Sequence, residues 1–438
     1  MGVMATNYPA WGGLNFGQQQ GKIIPNRFFS LTNIDAHPPF LPYGNGRSYG
    51  DSCQNTGGVL LDCRGLNHLM AFDRKTGVLK CEAGVLLSQI LRLAIPHGWF
   101  LPVTPGTRFV TVGGCIANDV HGKNHHRAGA FGCHVRCFEL KRSNGQSLIC
   151  SPKENTDLFR ATIGGLGITG LITWAEIQLA PCQNPLIGQE TIRFPNLGEF
   201  FTLSDESDQK YEFTVAWVDC LARGRSLGRG HFIRGNFINK PAHYPAYGRK
   251  ALPMPIDPPF SLVNSLSLKI FNALYYSRQA TKKSAKTVRY EPFFYPLDSI
   301  DNWNRLYGKR GFYQYQCVIP PETSRDGIRE ILERIAMSGL GSFLAVLKKF
   351  GNIPSPGLLS FPRPGVTLAL DFPNLGEKTR NLLSSLDQVV SHAGGALYPA
   401  KDARMSEEMF RQSFPGTDAF IPFIDPAFGS CFWNRVNG

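Results

Sequence analysis

Between Leu41 and Asp51 the chain holds three glycines, a proline and two tyrosines, just where the short apolar run from Pro39 to Pro42 gives out. Glycine at this density lets a loop turn tightly and aim successive backbone N–H groups at one anion. Such a loop need not lead into a helix, which separates it from a P-loop or a Rossmann turn. Two readings stand side by side: a glycine-rich surface turn and a phosphate cradle.

The surroundings decide what kind of body carries the loop. A chain of 438 residues exceeds a single core, so two domains are expected. Residues 58–62 read as a strand, and 70–82 as a hairpin turning at 74–77. Residues 86–95 read as a helix with Leu87, Ile90, Leu91 and Ala94 on one face, halted by Pro96 and Gly98. A strong strand follows at 171–179, so the first part of the chain reads as one α+β unit. Past Pro185 the texture changes, with strands expected at 213–219, 313–319 and 368–372 and a helix at 324–337.

Lys and Arg number 46 against 33 acids, a formal charge of +13 that suits nucleic acid, a phosphorylated substrate or an anionic membrane without choosing among them. Segment 240–290 supplies +8 of this, with nine Lys/Arg and one acid, Asp257. In it Leu262, Leu266, Ile270 and Leu274 recur every four residues, and Arg278, Lys282, Lys283, Lys286 and Arg289 follow. This is the composition of an interfacial membrane helix, and equally of a core helix with a solvated tail; the charge asymmetry favours the membrane. Eleven cysteines without a C-x-x-C pair are expected to be reduced thiols in a cytoplasmic protein. The first twenty residues lack the pattern of a signal peptide, and no uncharged apolar stretch is long enough to span a bilayer. A soluble or peripheral protein is expected.

Gly165, Gly167 and Gly170 match G-x-G-x-x-G, but a helix is expected before them and a strand after. A dinucleotide fingerprint has the reverse order, so the Rossmann reading is rejected, leaving the loop free to touch a cofactor. The run from Pro105 to Gly122 offers Thr111 as a helix N-cap, with Gly113 and Gly114 giving a pyrophosphate close access to backbone amides. The alternative is close packing of helix on sheet. His121, His125 and His126 have a spacing that a metal could use, but Gly122 weakens a helix and no zincin-type glutamate lies between them. No metal is expected.

Together, the loop ending in Arg47 to Asp51, the run from Pro105 to His126 and the loop at 165–170 resemble the FAD domain of the vanillyl-alcohol-oxidase/PCMH-type flavoproteins. The second half also fits, at 294–298, 302–307, 313–316, 359–362, 371–373 and 398–404. The resemblance implies an α+β, two-domain PCMH-type FAD-binding fold. Residues 1–185 and a returning 396–438 would form the FAD domain, and 186–395 a substrate domain on an antiparallel sheet. It implies that FAD is held by Pro42, Tyr43, Gly44, Asn45, Gly46, Arg47, Ser48, Tyr49, Gly50, Asp51 and Ser52. Further contacts would come from Gly106, Thr111, Val112, Gly113, Gly114, Asn118, Asp119, Val120, His121, Ile172 and Tyr398. Tyr49 stands where relatives with covalent flavin carry histidine, so the FAD is expected to be non-covalent.

The resemblance further implies catalytic roles for Lys401, His121 and Tyr49, with Gln316, Lys348 and Lys401 binding substrate. From sequence alone Lys401 reads as a salt-bridge partner of Asp402 or Glu407. Ala369 and Thr367 depart from a cysteine and an asparagine of some relatives, which bears on the pocket. The C-terminal run 423–433 also diverges. The implied activity is oxidation of the C2′ hydroxyl of a polyprenyl-phosphoryl-β-D-ribose to the keto sugar. Its partners would be a lipid-linked sugar phosphate, an NAD(P)H-dependent keto-sugar reductase and an anionic membrane surface, with no nucleic acid. The alternatives are a soluble aldonolactone or sugar-alcohol oxidase on the same fold, and, more remotely, a binding protein without redox activity.

Overall fold

Alternating side chains build two groups of sheets, seen in a computed structural model that describes residues 8–34, 37–239, 252–254, 258–259 and 261–438. The rest of the basic segment, 240–251, 255–257 and 260, lies outside the described residues. In the first part of the chain a small parallel sheet pairs Gln20–Ile23 and Phe40–Tyr43 on either side of Val59–Asp62. An antiparallel sheet follows in the order Leu69–Asp73, Val78–Glu82, Leu171–Gln178, Val135–Lys141, Ser147–Cys150. The expected hairpin and strong strand are both in it. The expected helix is Leu87–Ala94, and its four apolar residues are all buried.

The larger sheet has eight strands, all antiparallel to their neighbours. Its order is Lys283–Val288, Ile187–Phe194, Gly230–Phe237, Phe213–Val218, Val346–Phe350, Gly365–Pro373, Phe312–Ile319, Ala396–Leu397. Helices Ser324–Ser338 and Glu377–His392 each bury an apolar stripe, contributing Ile328, Ile331, Ile335, Leu383, Leu386 and Val390 to the core that this sheet shares. The α+β, two-domain PCMH-type arrangement expected from the sequence is the one observed.

The last part of the chain returns to the first. Phe40 donates its N–H to Ala427, Tyr49 to Ala400, and Cys431 donates to Gln54. Arg435 grips Asp51 through Nε and Nη2 at 2.9 and 2.8 Å, and its Nη2 also reaches Asp402 at 3.0 Å. The divergent run 423–433 is anchored by Asp425, which accepts from Ser143 and pairs with Arg142 at 3.1 Å. All eleven cysteines are free thiols. Among the described residues no helix is long and apolar enough to cross a membrane.

Candidate active site

One face of the large sheet floors a cavity of about 800 Å³, roofed by the two glycine-rich loops. Register explains which side chains meet there. Gln314 pairs with Asp371, Gln316 with Ala369, Val346 with Ala369, and Lys348 with Thr367. Further along, Trp217 pairs with Val346, Val215 with Ile233, and Gln189 with Lys286. Side chains two apart on a strand share a face, so these residues form one continuous floor from Gln314 to the edge lysine Lys286.

The first loop bends over the inner end of this floor. Gly46 has φ +59, and a Cβ on Gly44 would stand 2.5 Å from Thr111 Oγ1. The Asn45 amide donates to the Phe109 carbonyl at 2.7 Å, tying the two loops together. Thr111 caps the short helix Val112–Ala117 by accepting from Gly114 N, as its position in the sequence predicts. Among the described residues no acceptor meets the backbone N–H of Asn45, Gly46, Arg47 or Ser48. The Arg47 guanidinium lies 3.8 Å above the Trp11 ring, and its Nε has no partner. Four consecutive free amides beside a partly buried cation make a concave donor array for an anion, so the residues present fit an FAD pyrophosphate.

Next to this cradle four basic side chains gather. Lys401 Nζ sits 3.9 Å from the centre of the Tyr49 ring. Asp402 is taken by Arg435 and Glu407 by Arg411, so the salt-bridge reading of Lys401 is set aside. Burial holds the Lys401 ammonium down to about 7, partly opposed by the Asp371 carboxylate and aided by Lys348. Burial likewise raises Asp371 to about 7, against the pull of Lys401 and of the Gln314 amide that donates to it at 2.9 Å. Lys348 is lowered by burial to about 8, and Lys123 by burial and Lys348 to about 7.

His121 is buried between Gln316 and Lys348, at 2.8 and 3.3 Å from its two ring nitrogens. Burial and then Lys348 push its pKa well below the usual imidazole value, so the ring is neutral. The Gln316 amide meets Nε2 and the Lys348 side chain meets Nδ1, so both ring nitrogens are engaged by neighbours. Phe350 and Tyr398 pack on the ring at 4.7 and 5.7 Å. The Gln316 amide is steadied by Thr367 Oγ1 at 3.2 Å, and Ala369 opens space beside it.

Most residues named from sequence meet at this cavity: Pro42, Gly44, Asn45, Gly46, Arg47, Ser48, Tyr49, Ser52, Gly106, Thr111, Gly114, Asn118, Val120, His121, Gln316, Lys348, Tyr398 and Lys401 all line it. Seven do not. Tyr43 turns away, donating to the Pro9 carbonyl and packing on Tyr8. Gly50 is small because a Cβ would overlap the Asp402 carbonyl, and Asp51 is held by Arg435. Val112 and Ile172 belong to an apolar core, while Gly113 donates its N–H to Ala83. Asp119 is fully buried, accepting from Gly132 N at 2.7 Å and from the Ser355 and Ser360 hydroxyls. It fastens one loop to another and does not face the cavity.

Sequence reasoning missed Gln314, Asp371, Trp217 and Lys123, all of which line the cavity. Gln314 and Asp371 lie two residues from Gln316 and Ala369 on the same strands, so strand alternation could have found them. The three histidines part company: His125 accepts from Gly351 N and His126 meets the Tyr211 carbonyl. Among the described residues no group of three metal-ligating side chains forms. The loop at 165–170 sits between helix Thr156–Thr162 and strand Leu171–Gln178 as expected, and Leu166 reaches the cavity.

Comparison with known proteins agrees with the geometry. Residues 34–151 match the model of an FAD binding domain. Decaprenylphosphoryl-beta-D-ribose oxidase of Mycolicibacterium smegmatis is 38% identical over 397 residues, covering 87% of this chain and 85% of that protein. An uncharacterized protein from the mprA 5′ region of Streptomyces coelicolor is 33% identical over 78% of this chain and 96% of its own. Human delta(24)-sterol reductase is 32% identical over only 27% of this chain and 23% of its own. The cradle, the cationic cavity and the near full-length likeness agree, and the chain belongs to the FAD-dependent oxidoreductase family of decaprenylphosphoryl-beta-D-ribose oxidase.

Proposed function

We propose that this protein oxidises the C2′ hydroxyl of a polyprenyl-phosphoryl-β-D-ribose to the 2′-keto sugar, using non-covalent FAD. The observation that carries this is one cavity holding both the free amides of residues 45–48 and the basic group of Lys123, His121, Lys348 and Lys401. The bound FAD supplies the acceptor for the hydride that leaves C2′.

The protein supplies position and the proton site. Lys401, with a pKa near the working range, takes the hydroxyl proton as the C–H bond breaks and the C=O bond forms. Lys348 and Lys123 offer positive charge to the phosphate. Gln316 and neutral His121 donate to or accept from the ribose hydroxyls. Tyr49 supports Lys401 through its ring face. The keto sugar then needs a separate NAD(P)H-dependent reductase to complete an inversion at C2′. The likeness to a ribose oxidase along nearly the whole chain favours this reading over a soluble aldonolactone or sugar-alcohol oxidase.

The test is a visible spectrum before and after acid precipitation, followed by anaerobic addition of polyprenyl-phosphoryl ribose. Flavin bands that pass to the supernatant and are bleached by the lipid sugar are expected. Bleaching by free aldonolactones or sugar alcohols alone would transfer the protein to soluble sugars. A protein that stays colourless after reconstitution with FAD would overturn the assignment.

A further inference from the structure

Where the cavity floor reaches its outer edge, the helix Ser265–Ser277 stands beside the opening, with Tyr275 and Arg278 in the cavity wall. One side of this helix is seated. Leu268 and Asn272 are buried, and the Asn272 amide donates to Asp219 at 2.8 Å. Phe271 packs on Phe343 and Tyr275 on Trp217, at 4.8 and 4.5 Å between ring centres. The opposite side is apolar and bare: Leu266, Ile270 and Leu274 are 68%, 53% and 68% exposed. A spacing of four places them in one row along the helix.

Two more exposed leucines extend this surface around the opening. Leu262, 41% exposed, donates its N–H to Leu306. Leu252, 72% exposed, belongs to a two-residue strand paired with Ile300–Asp301, which line the cavity. A single exposed aliphatic side chain is ordinary, but four leucines and an isoleucine around one opening form a surface with a purpose.

Charge indicates which partner fits. Lys269, Arg278, Lys282, Lys283 and Lys286 are exposed on or just after the helix. Lys282 and Lys283 pair with Glu199 and Glu190, whereas Lys269, Arg278 and Lys286 meet no acid among the described residues. An apolar row flanked by unneutralised cations matches a bilayer carrying anionic headgroups. The row also borders the opening through which, on the function proposed above, a lipid-linked sugar enters.

We propose that the helix Ser265–Ser277 docks on an anionic bilayer, its Leu266–Ile270–Leu274 row seated at the boundary of headgroups and acyl chains, so that the cavity opens towards the membrane. The docking rests on the proposed substrate only for its purpose; the binding itself is read without substrate. The experiment floats flavin-loaded protein with vesicles of phosphatidylcholine alone or mixed with phosphatidylglycerol. The protein is expected to float with the anionic vesicles and to be released by salt. Leu266→Gln, Ile270→Gln and Leu274→Gln together should lower the bound fraction about tenfold while leaving the flavin spectrum unchanged.

The same triple variant should turn over a short-chain, water-soluble polyprenyl-phosphoryl ribose like the parent and lose turnover of a long-chain substrate held in vesicles. Docking is overturned if the parent stays in the soluble fraction with anionic vesicles, or if the triple variant floats equally well. It is also overturned if the triple variant merely converts a dimer to a monomer, which assigns the row to a second copy of the chain. Flotation that depends on the row, in a protein that oxidises no form of the ribose, supports the docking and removes the substrate assignment instead.

Discussion

At the inner end of the cavity the sheet presents Gln314, Gln316, Lys348 and Asp371, whereas towards the outer end the same face presents Val215, Trp217, Ile233 and Val288. Backbone geometry is shared along the whole floor, so the difference comes entirely from which residue types occupy every second position. Inside, burial brings ionisable groups towards neutral pH while their mutual attraction opposes it: Lys401 and Asp371 both titrate at about 7. Outside, large apolar side chains line a passage that leads to a bare helix face. A substrate with a charged sugar head and a long hydrocarbon tail needs both environments in that order. The lesson is that one sheet face can hold a reaction site and a lipid path, provided that the polar residues cluster on adjacent strands.

If the inner end does the chemistry, Lys401→Met keeps its flavin but reduces it by substrate at least about 100-fold more slowly, read by anaerobic stopped flow. Lys401→Arg should not restore the rate, because a guanidinium cannot take the proton. A Lys401→Met rate near that of the parent would move the proton site elsewhere.

The outer end is tested by Trp217→Ala, which removes a large ring from the floor beside Tyr275. KM for a long-chain substrate is expected to rise about tenfold, with kcat and the short-chain substrate nearly unchanged. An equal loss on both chain lengths would break the division between the two ends.

Asp371→Asn sharpens the electrostatic half of the comparison. The carboxylate opposes the burial that lowers Lys401, so removing it should lower the lysine further. Activity that depends on the amine form rises with pH through the Lys401 titration. In the variant that rising limb should therefore move to lower pH, by about one unit. A profile of kcat/KM against pH between 5 and about 9 brackets both positions around neutrality.

The smallest effect belongs to Thr367→Val, which keeps the shape but leaves the Gln316 amide without one acceptor. A loss of about 1 kcal/mol, or roughly fivefold in kcat/KM, is expected. No change would mean that His121 alone holds Gln316 in place.

The local layer of this fold was legible from sequence. The hairpin at 69–82, the helix at 87–94 and the Thr111 cap depend on residues close along the chain, and each lies where its pattern placed it. Strand order was not legible, because nothing in Phe213–Val218 states that Val346–Phe350 will lie beside it. The site followed the same division. Loop residues 44–49 could be named from the family resemblance that their glycines carry, but Trp217 enters the cavity only through pairing across the sheet. The seven residues that do not line the cavity belong to or adjoin the same loops and strands as those that do, and are engaged elsewhere. A motif locates a stretch of backbone, whereas packing decides which side chains face the ligand. Tyr43 against Tyr8 and Asp51 against Arg435 are examples.

The Arg435 clasp has a consequence for how the protein is made. Asp51 and Arg435 are 384 positions apart, so at about 5–20 residues per second a ribosome releases the second roughly 20–80 s after the first. For most of that interval the cofactor loop lacks the carbonyl of Ala400, and for all of it the guanidinium of Arg435, which together fasten it. Flavin capture should therefore come as a late event of biosynthesis: ribosome-stalled chains ending near residue 395 are expected to retain no flavin, and chains extended beyond Arg435 to retain it. Fluorescence of the purified stalled complexes would tell the two apart, and yellow colour in a preparation then certifies that synthesis passed the clasp.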